Sequence, residues 1–144
     1  PLREEADRLA IIEGLQDGTI DVIATDHAPH SKEEKDREFV KAPSGIIGLE
    51  TALSLGLMNL VKPGYLSLSQ LVARMSTEPA KIYDLDAGTL KEDAPADIVL
   101  FDPKKEWTYD RSYSKSSNSP WLHQKLRGKV VMTICGGRIV YREE

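Results

Sequence analysis

The chain has 144 residues, 40% hydrophobic and 29% charged, with a formal net charge of −4. That balance suits a globular unit with a real core. The net negative charge and scattered basic residues weigh against a nucleic-acid surface, and no apolar run approaches the roughly 18 residues a membrane span needs. A single cysteine, Cys135, excludes an internal disulfide and fits a reducing, cytoplasmic setting.

Pro1-Leu2-Arg3-Glu4-Glu5 lacks the basic-then-apolar order of a signal peptide. With no initial methionine, Pro1 is read as lying inside a longer protein. Residues 4 to 17 predict an amphipathic helix, with Leu9, Ile12 and Leu15 at three-residue steps, Ile11 alongside, and Gly18 as its stop. Residues 20 to 25 are short and mostly apolar, which predicts a buried strand of a parallel sheet ending at Asp26. From His27 to Ser44 the chain is charged and loop-like. Ile46 to Val61 predicts a largely apolar helix, with Leu49, Ala52, Leu53, Leu57 and Leu60 on or near one face, broken by Pro63-Gly64. Ser67 is placed to cap a helix through Met75, and Thr77 another that runs to about Leu85.

The character changes after Gly88. Ile98 to Phe101 predicts a strand, Trp107 to Tyr109 a second, and residues 110 to 120 are polar without periodicity. Val130 to Ile134 and Arg138 to Tyr141 flank Cys135-Gly136-Gly137, a hairpin signal. One βα unit cannot cover both faces of its strand, and an α/β barrel takes about 250 residues. The fold class expected is therefore α/β: residues 1–87 as the last βα unit or units of a TIM-like (β/α)8 barrel, and residues 88–144 as part of a small β-sandwich domain.

Asp26, His27 and His30 follow directly on the expected strand, at the end where such barrels carry their chemistry. Carboxylate and imidazole both ligate zinc, and a carboxylate beside an activated water serves as general base. The same residues would equally suit a turn cap and a surface loop. A catalytic zinc takes three or more protein ligands, and His123, far along the chain, is not a convincing third. Pro43-Ser44-Gly45-Ile46-Ile47-Gly48 offers backbone N–H groups to an anion or carbonyl, or else glycines for close packing; it lacks the Lys-Ser or Lys-Thr of a phosphate loop. Lys32, Lys35, Arg37 and Lys41, alternating with Glu33, Glu34, Asp36 and Glu38, read as solvated surface. Cys135 lacks a histidine partner for a nucleophile's role.

The string Asp21 to His30 resembles the end of the eighth barrel strand in dihydroorotases, within the amidohydrolase superfamily and of the bacterial class I type. Ala42 to Thr51 resembles the same family at the expected separation. Pro1-Leu2-Arg3 looks like the tail of its Asn-Pro-Pro-Leu-Arg segment. Ala96 to Asp102 is similar to its return into a small β domain, and Gly136 to Tyr141 to its closing hairpin. Lys91 to Pro95 and Pro120 to Gln124 each lack a glycine the family commonly carries.

The resemblance implies reversible interconversion of (S)-dihydroorotate and N-carbamoyl-L-aspartate in pyrimidine synthesis, with zinc, one or two ions, as cofactor. It implies that Asp26 is both zinc ligand and proton shuttle, that His30 holds the substrate carboxylate, and that Ser44 and Gly45 contact the ring largely through backbone. His27 matches no ligand position and is expected to support its neighbours. The other metal ligands would lie upstream, so the chain alone is expected to be inactive and to need the remainder of its polypeptide. A homo-oligomer is expected, with aspartate transcarbamoylase as a further partner. The alternatives are a hydantoinase, dihydropyrimidinase or allantoinase, from which His30 discriminates, and an inactive dihydroorotase-like scaffold subunit for aspartate transcarbamoylase.

Overall fold

The computed structural model describes residues 4–143. The match at Pro1-Leu2-Arg3 lies outside the described residues. Helix α1, Glu5–Asp17, forms as expected, with Gly18 as its C-cap. The Glu4 backbone N–H donates to the Asp7 carboxylate at 3.0 Å, which satisfies one free donor of the first turn. Ile12 and Leu15 are buried, whereas Leu9 and Ile11 stay largely exposed.

Residues 20–31 carry no regular secondary structure, which corrects the strand expected at 20–25. A strand exists only through a paired neighbour, and no described strand lies beside this segment: the sheet is β1-β2-β3 alone. The segment is held by single contacts instead. Ile20 N–H donates to the Gly14 carbonyl at 2.8 Å and Ile23 N–H to the Arg74 carbonyl at 3.0 Å. The Arg74 guanidinium donates onward to the Leu15 carbonyl at 3.0 Å.

A short helix, α2 (Lys32–Lys35), interrupts the expected long loop. Ser31 caps it by accepting from the Glu34 N–H at 3.2 Å, and Glu34 answers by accepting from the Ser31 N–H. The helix expected from Ile46 begins only at Ala52: α3 is Ala52–Gly56, continued by a wider π-helical turn, Leu57–Val61. Residues 46–48 are drawn out of the helix because their backbone bonds elsewhere. The Ile46 carbonyl accepts from Ala28, and Ile47 N–H donates to Asn118.

Helix α4, Leu68–Val72, is capped by Ser67 as expected. It runs through a π-helical turn, Ala73–Thr77, into α5, Glu78–Ile82. Thr77 therefore sits inside a helix, with φ −65° and ψ −46°, and is no cap. Pro79 has no N–H to give the carbonyl four residues back, which suits a widened turn at this point.

The two short strands expected at 98–101 and 107–109 join in one strand, β1 (Ile98–Thr108), irregular between Asp102 and Glu106 where Pro103 falls. It pairs antiparallel with β2 (Lys125–Cys135), from Ile98 opposite Ile134 to Thr108 opposite Lys125. Strand β3 (Arg138–Arg142) completes the sheet through the expected Gly136-Gly137 turn.

Helix α3 seats on β2 through a polar stripe. Thr51, Ser54 and Leu57, three apart and all buried, face inward. The Ser54 hydroxyl donates to the Gly128 carbonyl at 2.6 Å, and the Trp107 indole donates to the same carbonyl at 3.0 Å. A Cβ added to Gly128, which has φ +92°, would lie 2.2 Å from Leu57 Cδ1. Only glycine lets strand and helix approach this closely.

Candidate active site

Two segments run side by side to form the site. Ala28 N–H donates to the Ile46 carbonyl at 2.9 Å, and Gly48 N–H donates to His27 Nδ1 at 3.1 Å. His27 Nδ1 thus acts as an acceptor, so its ring fastens the second segment rather than offering that nitrogen to a ligand. Gly45, at φ +111°, packs so tightly that an added Cβ would lie 2.6 Å from Ala28 Cβ. Close packing, one of the two uses the sequence allowed for the glycines of Pro43 to Gly48, is present at Gly45.

The structure brings His30 to Ser44: the ring's Nε2 lies 3.0 Å from the Ser44 carbonyl oxygen. His30 Nδ1 lies 3.7 Å from Glu34 Oε2, and the imidazole is about a quarter exposed. The Ser31 backbone N–H holds the Glu34 carboxyl below the usual carboxylate range, with the nearby His30 ring contributing less. Asp26 stands apart. It is exposed, with φ +43°, a left-handed backbone uncommon outside glycine. Among the described residues, none hydrogen-bonds or pairs with its carboxylate, which leaves both oxygens open to a ligand.

Two residues outside the expected set hold these segments. Lys35 is half-buried, and its ammonium donates to the Pro43 carbonyl at 2.9 Å and the Gly45 carbonyl at 3.2 Å. This corrects its placement among solvated surface charges. Its neighbour in sequence type, Lys41, does behave that way, in an exposed pair with Glu38. Asn118 comes from the polar stretch after β1. Its side-chain amide donates to the Ala28 carbonyl at 2.8 Å and to the Gly45 carbonyl at 3.3 Å, and its oxygen accepts from the His30 N–H at 3.4 Å. Neither residue announced itself by spacing, because both act through backbone carbonyls remote in sequence. The same polar stretch is pinned farther back: Ser112 Oγ and Tyr113 N–H both donate to Glu50.

Among the described residues no group of three histidines, cysteines or acids is placed to hold a metal ion. His123 is exposed, at φ +63°. Among the described residues no helix is long and apolar enough to cross a membrane.

The mixed α/β fold of the chain is met again in known proteins. The chain belongs to the Amidohydrolase family, which matches residues 2–140. Within that family it is 62% identical to a dihydroorotase of Clostridioides difficile over 98% of its own length, and 56% identical to one of Lactococcus lactis over 99%. It spans 34% of each of those relatives. Among solved structures it superposes on a dihydropyrimidinase from Brevibacillus agri with a TM-score of 0.89 at 29% identity, and on an L-hydantoinase from Arthrobacter aurescens with 0.87 at 33%. Each covers 99% of this chain; the chain covers 32% and 33% of them, respectively.

Proposed function

We propose that this chain is the part of a zinc-dependent dihydroorotase that carries the proton-shuttling carboxylate and one wall of the substrate site. The observation that carries the reading is the open Asp26 carboxylate on the same segment that, four residues on, supplies the His30–Ser44 pair. Residues 1–87 then belong to a TIM-like barrel and residues 88–144 to a small β domain. Further support comes from an apolar hollow of about 540 Å³ beside residues 20–25, lined by Ile11, Ile20, Val22, Leu55 and Leu60. The rest of the polypeptide, which the longer relatives have, would cover these apolar side chains.

Asp26 fits as one zinc ligand, having both oxygens free, and the remaining ligands belong to other segments. Bound there, zinc would lower the pKa of a water and polarise the amide carbonyl. Asp26 takes the proton of the attacking water as its oxygen adds to the ring carbonyl carbon. The ring C–N bond then breaks, and Asp26 delivers that proton to the leaving nitrogen. Closure of N-carbamoyl-L-aspartate runs the same steps in reverse. His30 meets the substrate carboxylate, and Ser44 and Gly45 border the ring with backbone groups. A homo-oligomer, and association with aspartate transcarbamoylase, belong to the same proposal.

A second reading, a hydantoinase-type hydrolase, is favoured by the close superposition on the Brevibacillus and Arthrobacter enzymes. Turnover of (S)-dihydroorotate and of dihydrouracil, the same ring without the carboxylate, separates the two readings in the complete protein. The dihydroorotase reading predicts that kcat/KM for dihydroorotate exceeds that for dihydrouracil by at least about a hundredfold, as befits a charge-assisted contact. Equal or better use of dihydrouracil would favour the hydantoinase reading, and no turnover of either by the zinc-loaded protein would favour an inactive scaffold.

A further inference from the structure

Asn118 gathers three backbone groups with one side chain: the Ala28 carbonyl, the Gly45 carbonyl and the His30 N–H. Its own carbonyl adds a fourth link, accepting from Ile47 N–H at 3.2 Å. The two carbonyls belong to different loops, one reaching back toward Asp26 and the other adjoining Ser44. A primary amide suits this place because it offers two N–H donors and one acceptor on a single rigid plane.

We propose that Asn118 is a positioning residue that sets the separation of the two loops, and thereby how tightly the carboxylate-bearing ring is held. This rests on the dihydroorotase reading of the site. Asn118 touches no reacting atom. Its links converge on His30 and Gly45, the residues assigned to substrate, and approach Asp26 only through Ala28, two residues on. Its loss is therefore expected to weaken binding more than the proton transfer.

The isosteric Asn118→Asp tests this, since it sets a carboxylate against two carbonyl oxygens that need donors. Asn118→Ser keeps a single donor and serves as the milder variant should the first fold poorly. In the complete zinc-loaded protein, Asn118→Asp is expected to raise KM for dihydroorotate about tenfold, equivalent to roughly one hydrogen bond, with kcat within about threefold. Asn118→Ser should recover part of the loss. Hydrogen exchange read by mass spectrometry gives a measure independent of turnover. Peptides covering 26–31 and 43–48 should both exchange faster in the variants, while those of β2 should not. Unchanged exchange in either loop would overturn the positioning role, whatever the activity. So would a loss confined to kcat, or exchange that rises equally throughout the chain. If the unsubstituted protein does not turn over dihydroorotate while the two loops still respond together, the dihydroorotase reading fails and the loop-setting role of Asn118 stands.

Discussion

The Nε2 of His30 donates to the Ser44 carbonyl oxygen across 3.0 Å. A carbonyl can only accept, so this bond places a hydrogen on Nε2 and turns Nδ1 toward Glu34. A substrate carboxylate approaching Nδ1 would need that nitrogen protonated as well. The ring thus ties the segment carrying His30 to Ser44 through one nitrogen and faces Glu34 with the other.

Gly45→Ala should damage that closure. The added methyl would meet Ala28 Cβ at 2.6 Å on a backbone at φ +111°. Strain of this kind costs on the order of 1–3 kcal/mol. Urea unfolding should show a loss of that size, and Ala28→Gly in the same chain should restore part of it. An unchanged midpoint in Gly45→Ala would remove the close-approach account.

Gly128→Ala should destabilise the seat of α3 on β2. Its methyl would lie 2.2 Å from Leu57 Cδ1, and overpacking costs about 1–3 kcal/mol. Leu57→Ala alone leaves a cavity and costs about 2–5 kcal/mol. Together the two should cost less than their sum by about 1 kcal/mol or more, because the methyl enters the space Leu57 vacates. Strict additivity in thermal unfolding would contradict the contact.

Acid should loosen α2 later than an ordinary glutamate would suggest. The Ser31 N–H favours the charged Glu34 carboxylate, so its pKa is lower folded than unfolded. The stabilisation is then fully present above the unfolded value and is lost as pH falls through the lower, folded one. The Ser31 amide proton, followed by NMR, should titrate with a midpoint below the usual glutamate range. In Glu34→Gln that transition should vanish. A midpoint at or above the usual range would oppose the capping assignment.

Helix α1, the Ser67 cap and the β2–β3 hairpin were legible because each rests on local rules: a first-turn acid, a hydroxyl before a helix, paired glycines between apolar runs. The expected strand at 20–25 was not realised, since pairing is a property of neighbours and not of composition. The start of α3 was misplaced for a related reason. Ile46 and Ile47 look helical in sequence, yet their backbone groups are claimed by Ala28 and Asn118. The face α3 buries was hidden as well, because Thr51 and Ser54 belong to it and a hydrophobic pattern skips them. In the proposed site, Asp26, His30, Ser44 and Gly45 are the residues a motif suggests, while Lys35 and Asn118 hold the same loops through carbonyls no motif records.

The central claim is that Asp26 moves the proton, and the Asp26→Asn variant of the complete, zinc-loaded protein tests it most directly. Asparagine keeps the shape but cannot accept the water's proton. Steady-state turnover of dihydroorotate should fall in kcat by about a hundredfold or more, as expected for loss of a general base, with a smaller change in KM. Near-normal kcat with a full complement of zinc would contradict the assignment.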